Sequence, residues 1–190
     1  MNFKVNMSDE EGIVIQGVNN MDFFEVIKSR HSYRGAYTDA AVPEADLIKI
    51  LDAGLRAPSG CNAQTTSFIL VTNRELRAKI AELLTAEPVK TAPALIIAVT
   101  EKVTFDFGLD FELEDYAAAV ENILLAVTAL GYASCWYDGM TRLGCADALA
   151  KLLGVPEDKQ VRTILPVGVP VKQGGQAARK SFDERVDWRK

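Results

Sequence analysis

Apolar side chains recur with helical spacing in several parts of this chain. Leu47, Ile50 and Leu51 stand three and four positions apart, which places them on one face of an α-helix. Pro43 suits the first turn of this helix, and Pro58 ends the pattern. The same reasoning predicts helices at residues 23–29, 44–56, 74–84, 114–130 and 146–153.

Short apolar runs without helical spacing lie between the predicted helices. The run at residues 94–99 reads Ala-Leu-Ile-Ile-Ala-Val, which is typical of a strand buried on both faces of a sheet. Runs of this kind predict strands at residues 67–72, 94–99, 133–137 and 161–169. Because helices alternate with buried strands, the fold class is α/β or α+β, and the pattern alone does not choose between them.

The predicted helix at residues 114–130 is apolar on more than one face. Its apolar positions are Ala117, Ala118, Ala119, Val120, Ile123, Leu124, Leu125, Val127 and Leu130. Helices of this kind are enclosed on all sides. Since a chain of 190 residues can hardly enclose such a helix by itself, the pattern predicts a homodimer, with this helix and its Leu124 at the interface.

The composition indicates one domain. With 190 residues and 48% apolar side chains, the chain can bury a hydrophobic core of its own. Residues 1–20 show no sustained periodicity and are predicted to form an N-terminal arm, followed by a single domain at residues 21–190. No apolar run reaches the roughly 20 residues that cross a bilayer, so no membrane association is predicted.

The charge of the chain points to a small ligand. A formal net charge of −5 argues against nucleic-acid binding, which needs a basic surface. Positive charge is nevertheless concentrated at Arg30, His31 and Arg34, and again at Arg179 and Lys180. In an acidic protein, such local clusters favour a small anionic ligand over a polyanion.

The cysteines give no sign of a metal site. Cys61, Cys135 and Cys145 form no Cys-x-x-Cys pair, and with His31 as the single histidine they lack the spacing of a zinc site. No metal is predicted. The odd number of cysteines and the lack of a signal-like N-terminus favour a reducing cytoplasm. Cys61 and Cys135 are interpreted as small buried apolar residues.

The motifs of several enzyme classes are missing from the sequence. No Gly-x-Gly-x-x-Gly follows a predicted strand, and neither a P-loop nor a nucleophile elbow is present. A Ser-His-Asp hydrolase would have to use His31 as its base. The chain thus offers many binding groups and few acid–base groups, as expected where a cofactor carries the reaction. No protein side chain is therefore predicted to be catalytic.

Two polar segments carry a resemblance to a known family. Residues 29–34 read Ser-Arg-His-Ser-Tyr-Arg, and residues 57–64 read Ala-Pro-Ser-Gly-Cys-Asn-Ala-Gln. Together they resemble the nitroreductase-like flavin oxidoreductases, whose chains carry Arg-x-Ser-x-Arg/Lys followed by Pro-Ser-x-x-Asn-x-Gln. The resemblance extends from about residue 21 to the C-terminus. It implies an α+β, three-layer fold with a mixed, mostly antiparallel sheet flanked by helices, in an intertwined homodimer that binds FMN.

The resemblance also implies where FMN binds. Arg30, His31 and Ser32 match positions that contact the phosphate and the ribityl chain. Arg34 matches the position beside flavin N1 and O2, where a cation stabilises the reduced ring. The other implied contacts are Pro58, Ser59, Gly60, Asn62 and Gln64 on the second subunit's loop, Tyr137, Asp138 and Gly139 near flavin N5, and Arg179 and Lys180 at the phosphate.

Some of these residues also have simpler interpretations. Pro58 and Gly60 are typical of a turn that ends a helix, and Arg179 and Lys180 are typical of a solvated tail. Residues 65–66, both threonine, replace the Pro-Trp that usually follows in the family, which puts the geometry of this loop in question.

The implied activity is transfer of hydride from NADH or NADPH through flavin N5 to an electron-poor small molecule such as a nitroaromatic or a quinone. Reductive dehalogenation and flavin fragmentation are alternatives within the same fold, because variable lid residues decide among these reactions. A non-catalytic FMN-binding dimer, which stores or senses flavin, is an alternative of another class. The short segment at residues 103–114, where larger members carry a helical lid, favours this last alternative.

Overall fold

The computed structural model describes residues 21–139 and 141–190. The N-terminal arm predicted at residues 1–20 lies outside the described residues. The helices are α1 (Phe23–Ser29), α2 (Glu44–Leu55), α3 (Arg74–Leu84), α4 (Glu87–Thr91), α5 (Glu112–Ala129), α6 (Ala146–Leu153) and α7 (Phe182–Arg185). The strands are β1 (Thr66–Val71), β2 (Ala94–Glu101), β3 (Ala133–Ser134) and β4 (Lys159–Gly168).

The strands form one sheet in the order β1-β2-β4-β3, and every neighbouring pair is antiparallel. Among the described residues, one parallel bridge, between Ser32 and Ser134, adds the segment after α1 to the β3 edge. The sheet is therefore mixed and mostly antiparallel. The predicted α+β class is confirmed, and the α/β alternative, which requires parallel strands joined by crossovers, is wrong.

Two apolar cores lie on opposite faces of the sheet and make the fold three-layered. Leu95 and Ile97 of β2 join the core beneath α3, α4 and α6, whereas Ile96 and Ala98 join the core beneath α2 and α5. Successive side chains of a strand point to opposite faces, so a central strand between two helix layers must be apolar at every position. This requirement explains the uninterrupted apolar run at residues 94–99.

Helix α5 is enclosed largely within its own subunit. It packs against α2 and the sheet, and its buried side chains include Val120, Ile123 and Leu124. Leu124 is only 5% exposed and belongs to the core that α5 shares with α2, so its predicted place at a subunit interface is wrong. The neighbouring Leu125 is half-buried.

Local signals explain where several helices begin. The Asp22 carboxylate accepts the Phe24 N–H at 3.2 Å at the start of α1, and the Asn73 side chain accepts the Leu76 N–H at 2.9 Å at the start of α3. The carboxylate of Glu25 on α1 pairs with Lys28 at 3.5 Å. Within the described parts of the chain, no helix is both long and apolar enough to cross a membrane.

Candidate cofactor-binding site

The basic segment, residues 30–34, is fixed by its backbone to the β3 edge of the sheet. Ser32 forms the parallel bridge to Ser134, and the Tyr33 N–H donates to the Ser134 carbonyl at 2.9 Å. The Tyr33 side chain is buried and its hydroxyl donates to the Ala36 carbonyl at 2.6 Å. Because side chains alternate along an extended segment, the burial of Tyr33 leaves Ser32 and Arg34 exposed.

The two arginines of the basic segment differ in their surroundings. Arg30 follows α1 directly, and its side chain is 18% exposed with Nε 3.2 Å from a carboxylate oxygen of Glu121 on α5. Arg34 is exposed and has no ion pair with residues 21–139 or 141–190. Glu121 therefore orients one guanidinium through Nε, and the terminal nitrogens of both arginines remain available to an anion.

His31 presents a buried nitrogen next to the arginines. Its Nδ1 lies 3.0 Å from the Ser29 carbonyl, which can only accept, so Nδ1 carries the hydrogen. Nε2 is buried and has no hydrogen-bond partner in the described structure. Gly174 packs directly against this ring, and a Cβ at position 174 would overlap it. In the neutral ring with its hydrogen on Nδ1, Nε2 is therefore an acceptor without a partner among the described residues.

The C-terminal segment crosses the end of α1 beside the basic segment. The Gln176 side-chain amide donates to the Arg30 carbonyl at 2.9 Å. Arg179 and Lys180 follow three and four residues later and are both exposed. Three residues of extended chain reach at most about 11 Å, which keeps Arg179 within reach of the basic segment.

The turn at residues 137–139 follows β3 along the same edge of β4. Tyr137 exchanges two backbone hydrogen bonds with Ile164 of β4, at 3.0 and 3.2 Å. The Asp138 carboxylate pairs with Arg142 at 2.9 Å, and its carbonyl accepts the Thr141 hydroxyl at 2.7 Å. These bonds hold the turn firmly. Gly139 is exposed and has open space where a Cβ would lie, so nothing within the described chain requires a glycine there.

Residues 58–64, which we call the proline loop, lie against the N-terminal end of α5. The Ser59 hydroxyl accepts the Gln64 N–H at 3.0 Å, and the Gly60 N–H donates to the Asp115 carboxylate at 2.8 Å. Pro58, Asn62 and Gln64 are exposed. Together with α2 and α5, the loop borders a cleft of about 220 Å³.

The Ser32–Ser134 bridge joins the basic segment to β3, and Gln176 joins it to the C-terminal segment. The turn at residues 137–139 follows β3 along the same edge of β4. The proline loop does not join them, and among residues 21–139 and 141–190 no hydrogen bond links it to the basic segment. Asp115 contacts the proline loop and Glu121 pairs with Arg30, and these two residues are six positions apart on α5. This spacing separates them by about 9 Å along the helix axis and by about 120° around it.

Three further residues at the site were not predicted from the sequence. Asp115 and Glu121 read as ordinary polar positions on a helix, and Ser134 as part of a strand. The Ser134 hydroxyl is buried beside the basic segment and lacks a partner among the described residues. No spacing rule would have identified these residues, because their roles depend on contacts between distant parts of the chain.

The structure confirms the buried position predicted for Cys135, which lies beside the basic segment, whereas the buried position predicted for Cys61 is wrong, because Cys61 is exposed. Cys135 is fully buried, and burial raises the pKa of its thiol to about 11, against the opposing charge of Arg34. A thiol with such a pKa is almost entirely protonated and unreactive at neutral pH.

The donor groups of this site fit FMN. Guanidinium groups, an unpartnered imidazole nitrogen and hydroxyls gather at the β3 edge, and they suit a phosphate and the polar edge of a flavin ring. Among the described residues, no group of three or more His, Cys, Asp or Glu side chains is arranged to hold a metal ion. A three-layer α+β fold with this site defines a protein that binds an anionic organic cofactor.

Comparison with known proteins identifies the family. The model of the nitroreductase family matches residues 27–102 and 81–169, and the chain belongs to this family. A Methanothermobacter thermautotrophicus protein named as an NADH dehydrogenase or NAD(P)H nitroreductase is 35% identical over 171 residues, which are 87% of this chain and 85% of that protein.

Two further similarities support the same assignment. The FMN reductase [NAD(P)H] of Bacillus subtilis is 31% identical over 138 residues, which are 69% of this chain and 51% of that protein. The crystal structure of a nitroreductase family protein from Clostridium novyi is 31% identical with a TM-score of 0.69, and the match covers 79% of this chain and 87% of that one.

Proposed function

We propose that this protein, as a homodimer of single domains at residues 21–190, transfers electrons from NADH or NADPH to an electron-poor small molecule such as a nitroaromatic or a quinone. The chain is an NAD(P)H-dependent flavin oxidoreductase that uses FMN, as its family and the names of its relatives indicate. The bound flavin supplies the two-electron chemistry. The observation that carries the proposal is the cluster of cationic side chains and unpartnered polar groups at the β3 edge.

The side chains of the chain have binding and electrostatic roles. Arg30 and His31 hold the phosphate, with Ser32 beside them and Arg179 and Lys180 closing the site from the C-terminal segment. Arg30 is suited to this role because Glu121 fixes Nε and leaves its terminal nitrogens free. Arg34 places a fixed positive charge beside N1 and O2, where negative charge accumulates when the ring is reduced.

The turn and the proline loop complete the site. Tyr137, Asp138 and Gly139 form a turn held by backbone bonds to β4, which suits a site where main-chain groups approach the ring. Pro58, Ser59, Gly60, Asn62 and Gln64 serve the flavin held mainly by the other subunit. The separation of the proline loop from the basic segment within one chain supports this arrangement, since a two-fold dimer brings unlike parts of two copies together.

Exposed apolar side chains support the dimer. Phe23 and Phe24 on α1 are 61% and 73% exposed, and Phe182 and Trp188 near the C-terminus are 61% and 70% exposed. Groups of large exposed apolar side chains of this kind are typical of surfaces that another subunit covers. Sedimentation measures the oligomeric state directly.

Purification followed by anaerobic reduction tests the proposal. The protein is expected to carry flavin absorbance, or to gain it when FMN is added, and NADH or NADPH should bleach that absorbance under argon. A panel of nitroaromatics and quinones is then expected to restore it. A protein that never binds FMN contradicts the proposal entirely, whereas a dehalogenated or fragmented product would identify one of the alternative reactions.

A store or sensor of FMN is the second candidate function. Between β2 and α5, residues 102–111 contain neither helix nor strand, so this segment forms no helical lid. Flavin that binds tightly but is reduced by neither nucleotide would favour this function over catalysis.

A further inference from the structure

The proline loop has an unusual backbone. Cys61, Asn62 and Gln64 have φ values of 51°, 55° and 51°, which lie in the left-handed region that favours glycine. Three such residues within four positions are unfavourable unless the surroundings fix them. The loop must therefore be held from outside by specific contacts.

One buried carboxylate supplies these contacts. Asp115 in the first turn of α5 is 4% exposed. One of its oxygens accepts the Gly60 N–H at 2.8 Å, and the other accepts the Thr65 hydroxyl at 2.8 Å. Gly60 and Thr65 flank the three left-handed residues, so a single side chain on a rigid helix fixes both ends of the strained stretch.

Phe111 fixes the same end of the loop by packing. A Cβ at position 60 would overlap the Phe111 ring, so Gly60 lies directly against it. Phe111 is the residue immediately before α5, four positions before Asp115. The N-terminus of α5 also favours a negative charge at Asp115 through the helix dipole. The start of α5 thus fixes the loop through the hydrogen bonds of Asp115 and the packing of Phe111.

We infer that Asp115 is the positioning residue of the cofactor site: it holds the proline loop in the conformation that contacts FMN, without contacting FMN itself. The inference rests on the proposed function, because it assumes that the loop serves the flavin. If Asp115 were merely a structural link between loop and helix, its loss would lower the free energy of unfolding and leave flavin affinity unchanged in the folded protein.

Four variants separate these roles. Asp115→Asn replaces two charged acceptor oxygens by one neutral acceptor and one N–H donor, and Thr65→Val removes only the hydroxyl donor at nearly the same volume. Thr65→Ser restores that donor. Glu114→Gln removes the neighbouring exposed carboxylate from the same helix turn without touching the loop, and is the matched control. For each variant, FMN and riboflavin affinities are measured by fluorescence titration below the unfolding temperature, together with hydrogen exchange of the amides at residues 60–64.

We expect Asp115→Asn and Thr65→Val to weaken FMN and riboflavin by the same factor, about tenfold, because the loop does not serve the phosphate. Exchange of the Gly60 amide should accelerate in both. Thr65→Ser should return affinity and exchange toward the wild-type values, and Glu114→Gln should alter neither.

Unchanged affinity in folded Asp115→Asn or Thr65→Val, with faster exchange, would overturn the inference and leave Asp115 a structural residue. If Asp115→Asn does not fold, the comparison of Thr65→Val with Thr65→Ser decides by the same criteria. Failure of the proposed function is distinguishable, because in that case the wild-type protein binds neither FMN nor riboflavin.

Discussion

Replacement of Arg30 by alanine tests the phosphate site with a control built into the ligand. The guanidinium of Arg30 has one described partner, Glu121, which binds Nε at 3.2 Å. If its terminal nitrogens bind the FMN phosphate, Arg30→Ala removes a charge-assisted contact that contributes about 1.5–3 kcal/mol. This free energy corresponds to FMN affinity reduced by about 10- to 150-fold.

Removal of Arg30 also leaves the Glu121 carboxylate without its partner beside the phosphate. The Glu121 side chain is 46% exposed, so water screens its charge and limits the added repulsion to less than about 1 kcal/mol. The double variant Arg30→Ala/Glu121→Gln removes this repulsion and should recover only a small part of the lost affinity. Arg56→Ala is the matched control, because Arg56 is a surface arginine that pairs only with Asp52 among the described residues.

Riboflavin decides whether the phosphate is involved, because it lacks that group. Both flavins are titrated into apoprotein in a phosphate-free buffer, and the ratio of the FMN and riboflavin affinities is compared between variants. We expect Arg30→Ala to lower this ratio by the factor estimated above, and Arg56→Ala to leave it at the wild-type value. A ratio unchanged in folded Arg30→Ala would refute the phosphate role of Arg30.

Three further predictions concern individual side chains. Arg34→Ala should lower the two-electron midpoint potential of the flavin more than it weakens FMN binding; an unchanged potential in folded protein would exclude a role at N1 and O2. Cys61 is exposed, so it should react with a thiol reagent before Cys135, and saturating FMN should slow that reaction unless the loop lies away from the flavin. Tyr132→Phe should lower the unfolding free energy by about 1 kcal/mol at neutral pH, because the Tyr132 hydrogen bond lowers the pKa of Asp46. Urea titrations should show this difference shrinking as the pH falls through the Asp46 pKa, where the folded protein loses the ionised carboxylate; a constant difference would contradict the assignment.

Helix boundaries were predictable where local chemistry sets them. The predicted ranges of α1, α3 and α6 coincide with the observed ones. Asp22 and Asn73 cap the first two of these helices, and Gly154, with a φ of 67°, ends the third. These signals act within a few residues, so the sequence carries them in readable form.

Features that depend on distant contacts were not predictable in the same way. The apolar pattern of α5 showed that the helix is enclosed but not by what, and α2 and the sheet cover Leu124 within the subunit. The sheet order β1-β2-β4-β3 leaves no trace in local periodicity, so the α+β class came only from the resemblance. For the site residues, the sequence indicated which side chains could bind an anion, whereas the buried contacts of Asp115 became visible only in three dimensions.

Helix α5 explains why a complete site should require two subunits. It anchors the basic segment through Glu121 and the proline loop through Asp115, and these residues face directions about 120° apart around the helix. In the proposed dimer, a ligand that contacts both parts takes them from two copies of the chain. Helix α5 then sets the spacing of both sites at once, and a dimer that dissociates should lose both flavins together.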